Sequence, residues 1–214
     1  MPKPVLLSTA YFPPITWFAA LIKSAVAKLE TCETYTKQSY RNRCHIIGPN
    51  GLQVLTVPVN KPFGNQTKTT QITLARHSNW QRTHWRAIET AYNTSPFFLF
   101  YRDRFHEVLF ADHTHLFALN QALINMILGY LGLPVEIGFT KEFEKEPQDL
   151  TDIRNIIHPK KPLPKQINFP VYTQVFNAKH DFIPNLSIID LLFNEGPASL
   201  DYLNEVVENL CFPV

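Results

Sequence analysis

The sequence predicts an α/β fold, or its α+β relative: a mainly β N-terminal sheet with one early helix, covered by a layer of helices. A proline-rich arm and two C-terminal helices follow. Three observations carry this expectation. The apolar run Val5-Leu6-Leu7 is followed, across Pro13-Pro14, by apolar residues at helical spacing and then by a second strand pattern. Asn50-Gly51 stands between two further strand patterns. From Asn79 onward the hydrophobic period changes to 3.6.

The elements follow in order. Val5 to Leu7 is short and continuously apolar, which suits a buried strand. One of the paired prolines can occupy a first helical position, where its missing N–H is harmless, and Ile15, Phe18, Leu21 and Ile22 then form a helical stripe. Ala27 to Tyr35 alternates loosely and reads as a second strand. Arg43 to Ile47 and Leu52 to Val59 flank "GPNG" as a hairpin, because Asn and Gly both tolerate positive φ. "VNKPFGNQTKT" is a polar loop and "QITLAR" a short strand. "NWQRTHWRAIETAYNTS" is a helix capped by Ser78 or Asn79 and ended by Pro96. Two more helices follow, the second stopped by Gly132 and Pro134. The organisation expected is a core domain over 1–140, an extended arm over 141–170, and a helical segment over 171–214 that packs on the core.

Composition narrows the function. With 45% apolar and 18% charged residues in 214, the chain is globular rather than disordered. A net charge of +2 is too mild for a nucleic-acid binder, so any anion must be met by locally placed cations. Cys32, Cys44 and Cys211 are odd in number and lack metal spacing; free thiols in a reducing, cytoplasmic compartment are expected. No signal-peptide pattern and no membrane span are read from the sequence.

Several segments resemble the WbqC-like protein family. "AYFPPITWFAALI" is similar to its opening turn and helix, and "YTKQSYRNRCHI" to a segment bearing Arg-Asn-Arg. "LTVPV", "WRAIETAYNTSPFF" and "IPNLSIIDLLFNEGP" are similar to later elements. The chain has Glu30-Thr31-Cys32-Glu33 where many members carry an Asp-Asp pair, and a short proline-filled stretch before the closing helix where many have a further strand-helix unit. The resemblance implies a bacterial cytoplasmic protein associated with surface-polysaccharide (O-antigen-type) biosynthesis. It supplies no reaction.

Precursors of that kind carry phosphate, which calls for fork-shaped cations beside aromatic faces. "KQSYRNR" offers Lys37, Tyr40, Arg41, Asn42 and Arg43. On a strand Arg41 and Arg43 would share one face as an anion clamp; the plainer reading is a basic strand edge that blocks pairing. Tyr11 and Trp17 could shape a pocket on the first strand-to-helix turn, although that turn lacks phosphate-loop glycines. His84, four residues from Trp80 on one helical face, and Glu33 are the candidate acid–base groups. His106, Asp112, His113 and His115 cluster in sequence without a defined third ligand, so no metal is assigned, and no motif identifies a cofactor. Cys44 follows the arginines but should point to the opposite, buried face.

The expectation is therefore a transferase acting on a phosphate-bearing small molecule, a sugar precursor or its activated donor. The alternative is a non-catalytic assembly partner, a homo-oligomer or a companion of such enzymes that grips them with the proline-rich arm.

Overall fold

The computed structural model describes residues 3–24, 26–133, 135–163, 167–208 and 210; Pro134 and Cys211 lie outside them. Among the described residues, eight strands and six α-helices run in the order β1 Val5–Ser8, α1 Ile15–Ser24, β2 Val26–Glu30, β3 Arg43–Gly48, β4 Gly51–Thr56, β5 Val59–Asn60 and β6 Thr73–Leu74. Then come α2 Trp80–Tyr92, α3 Phe98–Phe110, α4 Leu116–Tyr130, β7 Glu136–Phe139, β8 Thr151–Asp152, α5 Ile188–Glu195 and α6 Ser199–Glu208. The class is α/β, as the change of hydrophobic period predicts.

The strands of the N-terminal third do not form one sheet. β1 and β2 pair in parallel around the α1 crossover, with Val5 opposite Ala27 and Ser8 opposite Glu30. The edges of that sheet are later strands, β7 beside β2 and β8 beside β1, both parallel, giving the order β7-β2-β1-β8. β3 and β4 form the expected hairpin by themselves, with Gly51 at φ 96° in its turn. β5 and β6 make a third, two-stranded pair.

α1 is covered on nearly every side, which its uniformly apolar sequence permits. It packs on β1 and β2 and against α5 and α6. Its N-terminus is stitched to the start of α5. Ile15 N–H donates to the Leu186 carbonyl, Thr16 N–H to Asn185 Oδ1, and Ile188 N–H to the Pro13 carbonyl. The aromatic-proline turn is thus a joint between two helices, and the Tyr11, Ile15 and Thr16 N–H groups already have acceptors.

Two expectations change here. The second strand stops at Glu30, because the Glu30 carboxylate takes the Cys32 N–H at 2.8 Å and turns the chain. The following residues pair with the loop near Thr67 to Thr69 instead. The charged segment 141–170, read as an arm, is proline-rich and mostly irregular, yet it supplies β8 and buries Ile153, Arg154 and Ile157. β7 was not foreseen: Glu136 and Gly138 interrupt its apolar pattern.

Candidate functional site

The sheet order places a topological switch beside β1. The chain leaves β1 toward β2 on one side, while β8 arrives on the other, so the carboxyl ends of β1 and β8 diverge. Open α/β sheets bind ligands at such a crevice. A small cavity of about 10 Å³ lies there, about the least volume that holds one water. Ser8, Thr9, Trp17, Tyr40, Arg41 and Arg154 are among its walls. Thr9 is 1% exposed and its hydroxyl has no hydrogen-bond partner among the described residues.

Two buried ion pairs floor the crevice. Arg41 donates from Nε to Glu33 Oε1 at 2.8 Å and from Nη2 to Glu33 Oε2 at 2.5 Å, and its Nη2 also donates to Ser8 Oγ at 2.6 Å. The Ser8 hydroxyl donates to Glu33 Oε2 at 3.3 Å. Beside it, Arg154 bridges the ends of β2 and β8 across β1. It donates to Glu30 Oε2 at 2.7 Å, and to Asp152 from Nε at 2.9 Å and Nη2 at 2.6 Å. Its Nη2 also reaches the Glu144 and Lys145 carbonyls, so all three nitrogens of this guanidinium are engaged.

Arg43 differs. It opens β3 half-buried, and among the described residues it makes no ion pair and its buried Nε has no acceptor. It shares a face of the hairpin with His45. Burial and Arg43 together push the His45 pKa down. Across the gap stands the segment His158-Pro159-Lys160-Lys161. The His158 pKa is lowered by partial burial and then by the charges of Lys161, Arg41, Lys160 and Arg43, so four cations act electrostatically on one imidazole. Lys160 Nζ donates to Gln38 Oε1 and Lys161 Nζ to the Asn155 carbonyl at 3.0 Å. Burial raises the Tyr40 phenol to about 12, which keeps it a donor at neutral pH. Its hydroxyl makes no hydrogen bond with the described residues, and Tyr40 separates the small cavity from one of about 420 Å³ lined also by His45, His158 and Lys161.

The structure sorts the residues expected from sequence. Arg41, Tyr40 and Trp17 line the crevice, Glu33 is tied to it through Arg41 and Ser8, and the Trp17 indole donates to the Ser8 carbonyl at 3.0 Å. Arg41 and Arg43 are not alternate residues of one strand. Arg41 sits in the turn closed by Asn42 N–H on Ser39 O, before β3 begins, so strand alternation does not govern it. Asn42 is buried and donates to the Val57 carbonyl at 2.8 Å. Lys37 is exposed near Lys61. Tyr11 is fully buried, with its hydroxyl 2.9 Å from His84 Nδ1. His84 is 4% exposed, ring-to-ring with Tyr11 and Trp80, and burial lowers its pKa to about 4. It is a core histidine and borders none of the cavities described here. Ser8, Thr9, Arg154, His158, Lys160 and Lys161 were missed. The "HPKK" run was visible, but only the pairing of β8 with β1 shows which end of the sheet it reaches.

A larger cavity, about 720 Å³, is elsewhere, and four carboxylates, Asp181, Glu195, Asp201 and Glu205, are in its lining. That charge repels phosphate, so size does not mark the anion site. Among the described residues no cluster of three His, Cys, Asp or Glu is arranged to hold a metal, and no helix is long and apolar enough to cross a membrane. Cys32 and Cys44 are free thiols; Cys44 is buried on the face opposite Arg43, and burial pushes its pKa far up.

Comparison with known proteins gives a match to the model of the WbqC-like protein family over residues 9–160 and 164–202. The chain is 29% identical over 194 residues to "Uncharacterized protein Rv1507c" of Mycobacterium tuberculosis, covering 79% of this chain and 83% of that one. No solved structure matches it significantly.

Proposed function

The chain belongs to the WbqC-like protein family, and from that premise we propose that it binds a phosphate-bearing small molecule at the carboxyl end of its parallel sheet. The reaction proposed is group transfer on a sugar precursor, or its activated donor, of bacterial surface-polysaccharide (O-antigen-type) biosynthesis. The observation that carries the binding reading is Arg43, a half-buried guanidinium with an orphaned Nε and no carboxylate partner. Buried polar groups are nearly always paired, and an unpaired fork beside three further cations is matched by an oxyanion.

In this reading Arg43, Lys160 and Lys161 take the phosphate, and the neutral Tyr40 phenol and His158 supply further hydrogen bonds. Arg41 does not bind directly. It is committed to Glu33 and orients that carboxylate beside the Ser8 hydroxyl, where Glu33 can exchange a proton with a substrate group. His84 positions Tyr11 instead of taking part in proton transfer. Nucleic acid is not the partner proposed, since the cations are confined to one gap. The exposed Leu99 and Phe100 at the start of α3 favour a second reading, docking on another protein.

Titration of inorganic pyrophosphate into wild type and Arg43→Ala by calorimetry tests the site. A charged hydrogen bond is worth roughly 1.5–3 kcal/mol, so the variant should bind tenfold or more weakly with an unaltered melting temperature. Equal affinity in the two proteins would remove Arg43 from the site.

A further inference from the structure

We infer that the phosphate taken at this site is carried on an aliphatic chain, which lies in the 420 Å³ cavity between the β3–β4 hairpin and the segment after β8. The inference rests on the phosphate reading and specifies its ligand.

The cavity has a mixed lining. Lys161, His158 and His45 contribute to it, and Arg43 lies outside the lining on the hairpin face that includes His45. The remainder is lined by Leu52, Leu163, Ile167, Phe169 and Ile183. The hairpin register puts Leu52 and Val54 on the same face as Arg43 and His45, and both are open to solvent, at 52% and 44%. A hairpin face left apolar directly beside unpaired cations suits a ligand with a charged head and a greasy body.

A nucleotide would need other features. A base is held between flat surfaces and read by hydrogen bonds along its edge. The ring pair on this wall, Tyr40 and His45, meets edge to face at 65°, which leaves no parallel slot. The Asn185 carbonyl oxygen, the obvious edge reader, is already taken by the Thr16 N–H. The Tyr40 phenol is 9% exposed and unpartnered where the chain-binding cavity meets the crevice, placed to donate to the phosphate ester. The volume falls within the range of small-molecule pockets.

The test uses four probes below their micellar concentrations: inorganic phosphate, uridine monophosphate, farnesyl phosphate and dodecyl phosphate. They are titrated into wild type, Arg43→Ala and Leu52→Ser. Farnesyl or dodecyl phosphate should bind roughly tenfold or more tightly than inorganic phosphate, since each buried methylene adds about a fourfold gain. Preference between the two separates an isoprenoid from a straight chain. Leu52→Ser, an uncharged truncation in the cavity wall, should cut the affinity of the chain-bearing probes far more than that of inorganic phosphate, whereas Arg43→Ala should weaken all probes. If phosphate binds but the chain adds nothing, or uridine monophosphate binds best, this inference fails and the phosphate reading survives. If no probe responds to Arg43→Ala, both fail.

Discussion

Arg41 grips Glu33 with two parallel hydrogen bonds, at 2.8 and 2.5 Å, and both side chains are almost wholly withdrawn from water, at 4% and 8% exposure. A bidentate fork of this kind fixes geometry as well as charge. It holds the turn before β3 against the end of β1, since the same Nη2 also donates to Ser8 Oγ.

Arg41→Ala should therefore behave unlike Arg43→Ala. Removing one partner leaves the Glu33 carboxylate buried and uncompensated, at a cost of about 3–5 kcal/mol. Replacing both, as Arg41→Met with Glu33→Leu, removes the charge and keeps volume, and should recover much of that loss. Urea denaturation of the single and double variants checks this. A single variant with wild-type stability would show that the pair is not buried in solution.

How much of this was readable beforehand depends on the kind of signal. The "GPNG" turn and the 3.6 period from Asn79 are local, and β3–β4 and α2 follow them closely. Glu33 and Arg43 draw notice in the sequence because charged side chains stand out in an apolar chain. What local pattern does not carry is long-range pairing. β8 is two residues long, and nothing in Thr151-Asp152 says that it adds to β1, more than 140 positions earlier. With β8 unseen, Arg154, His158 and Lys161 read as solvated charges. His84 shows the opposite limit of local pattern: a polar residue on a helical stripe looks available, while Tyr11 and Trp80 enclose it in the fold.

Gly196 offers a test of packing at the α5–α6 joint. Its φ is 53° with ψ −123°, a combination nearly confined to glycine, and an added Cβ would stand 2.5 Å from Phe97 Cγ and Cδ1. The backbone strain alone is on the order of 1–3 kcal/mol, and Phe97 must also move. Gly196→Ala should lower the urea midpoint without altering the slope of the transition. An unshifted midpoint would mean that this turn differs in solution.

The thiols should divide by reactivity. Cys44 is fully buried, and its pKa is driven up by desolvation with no cation on its own face to offset it. Cys32 is partly exposed. A thiol reagent added to native protein should therefore label Cys32 and reach Cys44 only after denaturation, as mass analysis of the labelled peptides would show. Rapid native labelling of Cys44 would contradict the packing of the hairpin.

Two buried groups make opposing contributions to stability between pH 4 and 6. Asp190, on α5, accepts hydrogen bonds from Tyr92 at 2.9 Å and Gln174 at 3.0 Å and from Tyr172, yet desolvation outweighs these and raises its pKa from 3.8 to about 6. Because the folded state holds this proton more tightly, its contribution is full below about pH 4 and is lost as pH rises through 6. His84 runs the other way. Its pKa falls from 6.5 to about 4, so its contribution is full above 6.5 and is lost as pH falls toward 4. Each is worth on the order of 2–3 kcal/mol, so in the wild type they largely cancel and the stability profile there should be flat. Single substitutions unmask them. Asp190→Asn should leave stability rising from pH 4 to 6.5, and His84→Gln should leave it falling from pH 4 to 6. Urea midpoints at half-unit pH steps would resolve the two slopes. Parallel slopes in both variants would mean that at least one of these groups is not buried as described.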